Sequence, residues 1–382
     1  MPNNPVVVVP GFVGSNLENY YEVEPRTTWG TWKLLETGLA GPDLRALALD
    51  ADGKNDAALD VVNRASSLLT GPYAKLVSAL RARRSAPVYV FPYDWRYSSA
   101  KSGKLLAAFV ARVRDKMAAA ETGWSGKIDF VAHSFGGLVF RAFLAESPPS
   151  GTVGQVVFVA VPHRGSLDAV EAMIRGHSTL LDGRKELRKL ARNLPSVYEI
   201  LPTFGNAAQD ESGTALDLFK LENWQENVTA TGSAGPEQNG FDVSQARLDA
   251  ASLQLTALRP ATDVVNARDV LTIYGEDPNT TLASVRVRPA PAYKRWFDFD
   301  QARKGDGDGV VLASSALLPG VASVRLSRQD ASILGELEAR LSFHGFLCAL
   351  DETQTIVNRF LDGQRGASAL LPLSLPRSRY RD

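Results

Sequence analysis

The sequence predicts an α/β fold, a mostly parallel, doubly wound sheet carrying cap or lid insertions. Three observations carry that expectation. Short apolar runs without polar alternation recur at Val6–Val9, Val88–Phe91, Ile128–Ala132, Val156–Val161 and Leu271–Tyr274, as strands buried on both faces require. Stretches with helical spacing lie between them. Leu105, Phe109, Val113 and Met117 mark one over Lys104–Ala119, and another over Gly136–Glu146 stops at Pro148-Pro149, where a helix cannot continue. Finally, one strand runs straight into a small-residue turn and a helix. Alternation of this kind is wound by right-handed crossovers.

Composition bounds the rest. The 382 residues suit one large domain with insertions, and 45% hydrophobic with 22% charged residues excludes disordered and fibrous classes. Lys plus Arg equals Asp plus Glu at 42 each, which argues against a nucleic-acid partner held by bulk positive field. Cys348 is the sole cysteine, so no intramolecular disulfide forms and packing alone must hold the fold. Met1–Pro5 opens onto the first strand without a basic segment and apolar core of the signal-peptide kind. No apolar run approaches the ~20 residues of a spanning helix. A cytoplasmic location, with peripheral membrane association left open, is the expectation.

The domain is expected over residues 1–362, with cap or lid insertions at about 19–70 and 175–266 and a peripheral tail over 363–382. The first insertion is rich in aromatic and loop residues, and the second shows no core strand and contains a polar stretch from Thr229 to Gly240.

The strongest local signal is Ile128-Asp129-Phe130-Val131-Ala132-His133-Ser134-Phe135-Gly136-Gly137. It has the pattern of a nucleophile elbow, Gly-X-Ser-X-Gly, with Ala132 in the first glycine position. A serine on so tight a turn needs small neighbours two residues before and after it. The turn lifts its hydroxyl above the sheet edge and aims the Phe135 N–H and the helix N-terminus at a developing oxyanion. Ser134 is therefore the candidate nucleophile.

A serine needs a base, and the base an orienting acid, in the chain order Ser, acid, His. There are four histidines: His133 adjoins the serine and must point elsewhere, and His163 and His177 precede any late acid. His344 has the right order. Upstream of it, Lys304-Gly305-Asp306-Gly307-Asp308-Gly309 reads as a tight loop presenting a carboxylate, with Asp308 the choice and Asp306 the alternative. Calcium-loop ligand spacing is missing there, and Asp50-Ala51-Asp52-Gly53 reads as a plain turn, so no metal or cofactor is expected. The Gly-rich Pro10–Ser15 segment follows the first strand, where a second oxyanion donor belongs, and the Phe12 N–H is the candidate.

These motifs together carry a family resemblance. VVVVPGFVGSNLE at 6–18, FPYDWR at 91–96, the AHSFGG elbow, GDGVV at 307–311 and the His344 context resemble, in that order, the lecithin:cholesterol acyltransferase family of α/β-hydrolases, which includes lysosomal phospholipase A2 and phospholipid:diacylglycerol acyltransferases. The resemblance implies an α/β-hydrolase fold with Ser134 as nucleophile, Asp308 as acid, His344 as base, and the Phe12 and Phe135 amides as oxyanion hole. Asp94 and Arg96, in the Tyr-Asp-Trp-Arg motif, are expected to fix a loop by an ion pair. Pro162–Ser166 resembles a segment that lines the site or supports it in related lipases. Ala132 and Val310 depart from the family's usual Gly and Thr, and the disulfide that staples the animal members' lid has no counterpart here.

Within the second insertion, RKELRKLARNL at 184–194 forms an amphipathic helix, with Leu187, Leu190, Ala191 and Leu194 on one face and Arg184, Lys185, Arg188, Lys189 and Arg192 around it. It packs on the core by that face or touches anionic lipid transiently. Trp29 and Trp32 contact acyl chains, a membrane surface or the lid. The expected activity is that of a serine acyl-ester hydrolase or O-acyltransferase, lipase- or phospholipase-like, on a lipid ester. The alternatives are an esterase, thioesterase or lactonase on a non-lipid substrate, and a catalytically silent binding module. No feature bears on oligomeric state.

Overall fold

The computed structural model describes residues 4–30, 44–120, 123–176, 185–229, 241–330 and 343–382. His177, Trp32, Arg184 and most of the Thr229–Gly240 stretch lie outside the described residues. The first strand, β1 (Val6–Val9), shows how the sheet is buried. Side chains alternate across a strand, and here Val7 and Val9 enter one apolar core while Val6 and Val8 enter another on the opposite face. A strand covered on both sides has no polar positions, which is why the run reads VVVV.

The remaining strands in chain order are β2 (Ser15–Asn19), β3 (Arg26–Trp29), β4 (Asn63–Leu68), β5 (Val88–Val90), β6 (Ile128–His133), β7 (Val153–Val159), β8 (Ala208–Gln209), β9 (Val270–Gly275), β10 (Asp277–Ala290), β11 (Tyr293–Gly307), β12 (Ala322–Leu326) and β13 (Tyr380–Arg381). The main sheet has the order β13-β12-β9-β7-β6-β1-β5. Every pairing in it is parallel except β12 with β13. The five strands expected from apolar runs are all in it.

The winding reverses beside β1. The chain goes outward from β1 to β5, returns to the other side of β1 as β6, and continues through β7, β9 and β12. Ligands of doubly wound sheets bind at the carboxyl ends of the strands where such a reversal opens a crevice. The loops that leave β1 and β6 flank this crevice, and they carry Phe12 and Ser134.

Helices cover both faces. Thr70–Arg83 and Asp351–Leu361 lie on one side, and Ser99–Ala119 and Phe135–Ala145 on the other. Ser98 caps the Ser99–Ala119 helix by accepting the Ala100 N–H at 3.1 Å. Phe135–Ala145 is apolar on nearly all sides because it is packed on nearly all sides.

Two features differ from expectation. The first insertion is partly sheet: β3 and β4 flank β2 in an antiparallel unit beside the mouth of the crevice. Residues 277–307 form a long bulged hairpin, β10–β11, so Lys304–Gly307 is the end of a strand rather than a tight loop. The segment from 363 onward is at the sheet's periphery but is not loose. Leu370, Leu371 and Leu375 are buried, and β13 adds an antiparallel edge strand. Among its described residues, the second insertion holds the helices Lys185–Asn193, Pro195–Tyr198 and Gln245–Ala257 and, as strand, the two-residue β8. No described helix is long and apolar enough to cross a membrane.

Candidate active site

Ser134 terminates β6 and stands at the N-cap of Phe135–Ala145, with φ 51° and ψ −129°. That left-handed backbone is costly for a non-glycine residue, and the surroundings enforce it. A Cβ on Gly136 would lie 2.3 Å from the Pro10 carbonyl oxygen, so β1 and the helix start touch backbone to backbone and only glycine fits. A Cβ on Gly11 would meet Ser134 Cβ at 2.8 Å. Ala132, by contrast, points its methyl into the core between Val9 and Phe158. The departure from glycine is accommodated there by ordinary packing.

The strained turn frees the hydroxyl. Ser134 does not cap its own helix with its side chain. Its Oγ instead lies 2.8 Å from His344 Nε2, and His344 Nδ1 lies 2.7 Å from Asp308 Oδ2. A carboxylate only accepts, so Nδ1 carries the imidazole proton and Nε2 is left to accept from Ser134. Asp308 follows β11 directly, and its second oxygen accepts the N–H groups of Val310 at 3.0 Å and Val311 at 2.7 Å. All three residues are buried. Asp306, the alternative acid, is exposed on β11 and accepts the Asn279 N–H at 3.1 Å.

The Phe12 and Phe135 amides flank the serine, and neither N–H has an acceptor among the described residues. The loop carrying Phe12 is held by the FPYDWR segment. Tyr93 donates its hydroxyl to the Pro10 carbonyl at 2.8 Å, Trp95 donates its indole N–H to the Ser15 carbonyl at 3.2 Å, and the Phe12 and Trp95 rings meet edge-on at 5.0 Å. Asp94 and Arg96 form the expected ion pair, at 2.6 Å, and Arg96 also reaches Asp56 at 2.7 Å and the Leu47 carbonyl at 3.2 Å. The motif thus ties the first insertion to the crevice. Arg96 is fully buried, and its carboxylate partners hold it in the charged form. Removing one partner of such a group strands the others without compensation. Arg96→Ala should cost about 3–5 kcal/mol, readable as a shifted denaturant midpoint; a shift within error of zero would sink this account of the motif.

An apolar cavity of about 90 Å³ opens on Ser134 and His344, with Phe12, Trp29, Trp95, Val311, Leu187 and Leu190 among its walls. The last two belong to the Lys185–Asn193 helix, whose apolar face forms the roof. Arg192, read from the sequence as part of a cationic surface, is buried and donates to the carbonyls of Phe241 at 2.7 Å and Met173 at 3.1 Å. Asn193 exchanges two hydrogen bonds with the Leu49 backbone, at 2.7 and 2.9 Å, pinning that end of the roof to the first insertion. Trp29 is buried in the cavity wall and donates to the Val13 carbonyl at 2.9 Å. In the Pro162–Ser166 segment, Pro162 and Ser166 line the cavity, and the Ser166 hydroxyl donates to the Val310 carbonyl beside Asp308. His163 packs edge-on against Phe158 with both ring nitrogens buried, and burial pushes its imidazole far down. It does not join Ser134. Sequence reasoning missed Tyr73, whose hydroxyl accepts the Gly11 N–H at 2.8 Å and lies 2.8 Å from His133 Nδ1. Its sixty-residue separation from the elbow leaves no local signal.

This sheet, with a serine turn at its point of reversal and Asp308 and His344 on later loops beside it, has the α/β-hydrolase fold. Within that class, the family model described as lecithin:cholesterol acyltransferase matches residues 66–233. The resemblance read from the motifs holds over that stretch, which includes the elbow and the roof helix and ends before Asp308 and His344. Among solved structures, the Tle4–Tli4 complex is similar, with 16% identity, 94% of this chain and 97% of that chain covered, and a TM-score of 0.64. The mature form of the Bacillus licheniformis lipase BlEst2 is similar at 12% identity over 86% of this chain and 85% of that one, with a TM-score of 0.38. At these identities the first likeness bears on the fold alone, and the second, at that score, carries no weight. No curated relative matches significantly by sequence.

Proposed function

We propose that the protein is a serine acyl-ester hydrolase or O-acyltransferase that works through an acyl-Ser134 intermediate. The observation that carries this reading is the hydrogen-bonded line Ser134–His344–Asp308, at 2.8 and 2.7 Å, opening on an apolar cavity. His344 takes the Ser134 proton as Oγ attacks the ester carbonyl, and Asp308 stabilises the resulting imidazolium. The Phe12 and Phe135 amides hold the oxyanion. Collapse breaks the ester C–O bond, and the leaving alcohol takes the proton from His344. Water or an acceptor alcohol then gives its proton to His344 and attacks the acyl carbon; the acyl–Oγ bond breaks as His344 returns that proton to Ser134, which frees the acid or the new ester.

The apolar walls favour a lipid acyl group. The cavity is smaller than the ~300–1,000 Å³ of ordinary ligand pockets, so a long chain enters by displacing the roof helix. A fluorophosphonate should add once to the wild type, read by intact mass, and not to Ser134→Ala. Folded wild type that resists the probe overturns the enzyme reading. In a panel of esters of graded acyl length, long-chain esters should be turned over once they aggregate into an interface. A strict preference for short, soluble esters overturns the lipid reading and favours a small-ester hydrolase.

A further inference from the structure

His133 has no part in the steps above, yet it adjoins Ser134 and is fully enclosed. It belongs to a continuous line of hydrogen bonds. The Gly11 N–H meets Tyr73 Oη at 2.8 Å, Tyr73 Oη meets His133 Nδ1 at 2.8 Å, and His133 Nε2 meets the backbone carbonyl of His344 at 3.1 Å. Every link has one permitted direction. An amide only donates, so Tyr73 accepts from Gly11 and its single proton goes to His133 Nδ1. A neutral imidazole then keeps its proton on Nε2, which donates to a carbonyl that only accepts. Burial, with the His344 ring 5.2 Å away acting the same way, pushes the His133 imidazole down to about 3, so the neutral form persists.

The ends of this line are the parts that must be in register for acyl transfer. Gly11 precedes Phe12, His133 precedes Ser134, and the last acceptor is the backbone of His344 itself. We propose that Tyr73 and His133 are positioning residues, a buried tie that holds the Phe12 amide, the serine and the base in the geometry of the transition state. The proposal rests on the acyl-transfer reading above. An oxyanion donor acts only when placed at about 2.7–3.1 Å from the developing charge, and a displacement of about 1 Å can cost 10²-fold. Tyr73→Phe removes one oxygen and leaves both the Gly11 N–H and His133 Nδ1 without a partner.

The test has two arms. In the first, Tyr73→Phe, and His133→Gln should the former not fold, are assayed for kcat, KM and affinity for an alkyl boronic acid that mimics the tetrahedral adduct. The expected result is a kcat lower by about 10–100-fold, KM within a factor of about three, and boronate affinity lowered in parallel with kcat. A folded variant whose kcat and boronate affinity stay within twofold of wild type overturns the proposal. So does one whose kcat falls while boronate affinity holds. The second arm reads the wild type by ¹⁵N histidine NMR, where His133 should be a neutral Nε2–H imidazole throughout the range of about pH 5–8 in which an ordinary histidine titrates. A His133 protonated on Nδ1, or titrating in that range, overturns the tie. A wild type that neither labels nor turns over ester rejects the proposed function, and the NMR arm then decides the tie by itself.

Discussion

Ser134→Ala should lower ester turnover by on the order of 10⁶-fold while leaving the fold intact. The size follows from how the site is divided. His344 and Asp308 move and stabilise a proton, but only Ser134 Oγ offers the electron pair that becomes the acyl–enzyme bond. What survives the substitution is the binding and oxyanion contribution, which keeps a small rate above that of water. Stability should change by about 1 kcal/mol or less, the order of a lost hydrogen bond to His344 Nε2. The φ of 51° is imposed by Gly11 and Gly136 pressing against the turn, and alanine inherits that strain rather than relieving it. Steady-state assays beside a denaturation curve check both halves. Activity within tenfold of wild type, from a folded variant, would remove Ser134 as the nucleophile.

Asp308→Asn should lower kcat by about 10⁴-fold, through a proton on the wrong nitrogen. Asp308 Oδ1 accepts from the Val310 and Val311 amides, and Oδ2 from His344 Nδ1. An asparagine has one accepting oxygen. The two backbone donors claim it, because a buried N–H facing an NH₂ is an unsatisfied clash. The asparagine NH₂ then faces His344 Nδ1, which must accept. The imidazole proton moves to Nε2 and points at Ser134, so the base can no longer take the serine proton. Loss of kcat with KM little changed, partly recovered at high pH as hydroxide replaces the base, would identify the tautomer as the cause. A variant retaining a tenth or more of wild-type kcat contradicts the role given to Asp308.

The main sheet was legible because burial on both faces forces apolar runs rich in Val, Ile and Phe, as at Val6–Val9 and Ile128–Ala132. β12, Ala-Ser-Val-Arg-Leu, lies toward the sheet's margin and carries Arg325, so it lacks that signature. The β10–β11 hairpin had a different one that went unread. Ser284–Arg288 and Phe297–Asp300 alternate apolar and polar residues, and Val285, Val287, Phe297 and Phe299 are buried, while Asp298, the exception among the polar positions, is buried in an ion pair with Arg288. Period two of that kind means a sheet with one wet face. At the site, the elbow was legible because its sequence is dictated by one local turn. The three-residue line from Ser134 could be ordered along the chain but not measured, since its members lie 210 and 36 residues apart. Tyr73 was invisible for the same reason, and the direction of the His133 side chain depends on partners that no local pattern names.

The buried Cys348 has a practical side. Its thiol is enclosed in the core that packs under the Thr70–Arg83 helix, and burial pushes its ionisation far up, away from the reactive thiolate. It is also the chain's single cysteine. The native protein is therefore a nearly silent background for thiol-directed labels. One cysteine placed on the exposed side of the roof helix and one on the sheet's rim would carry a spin-label or dye pair without removal of the native cysteine. The distance between roof and crevice then becomes something that can be timed during turnover.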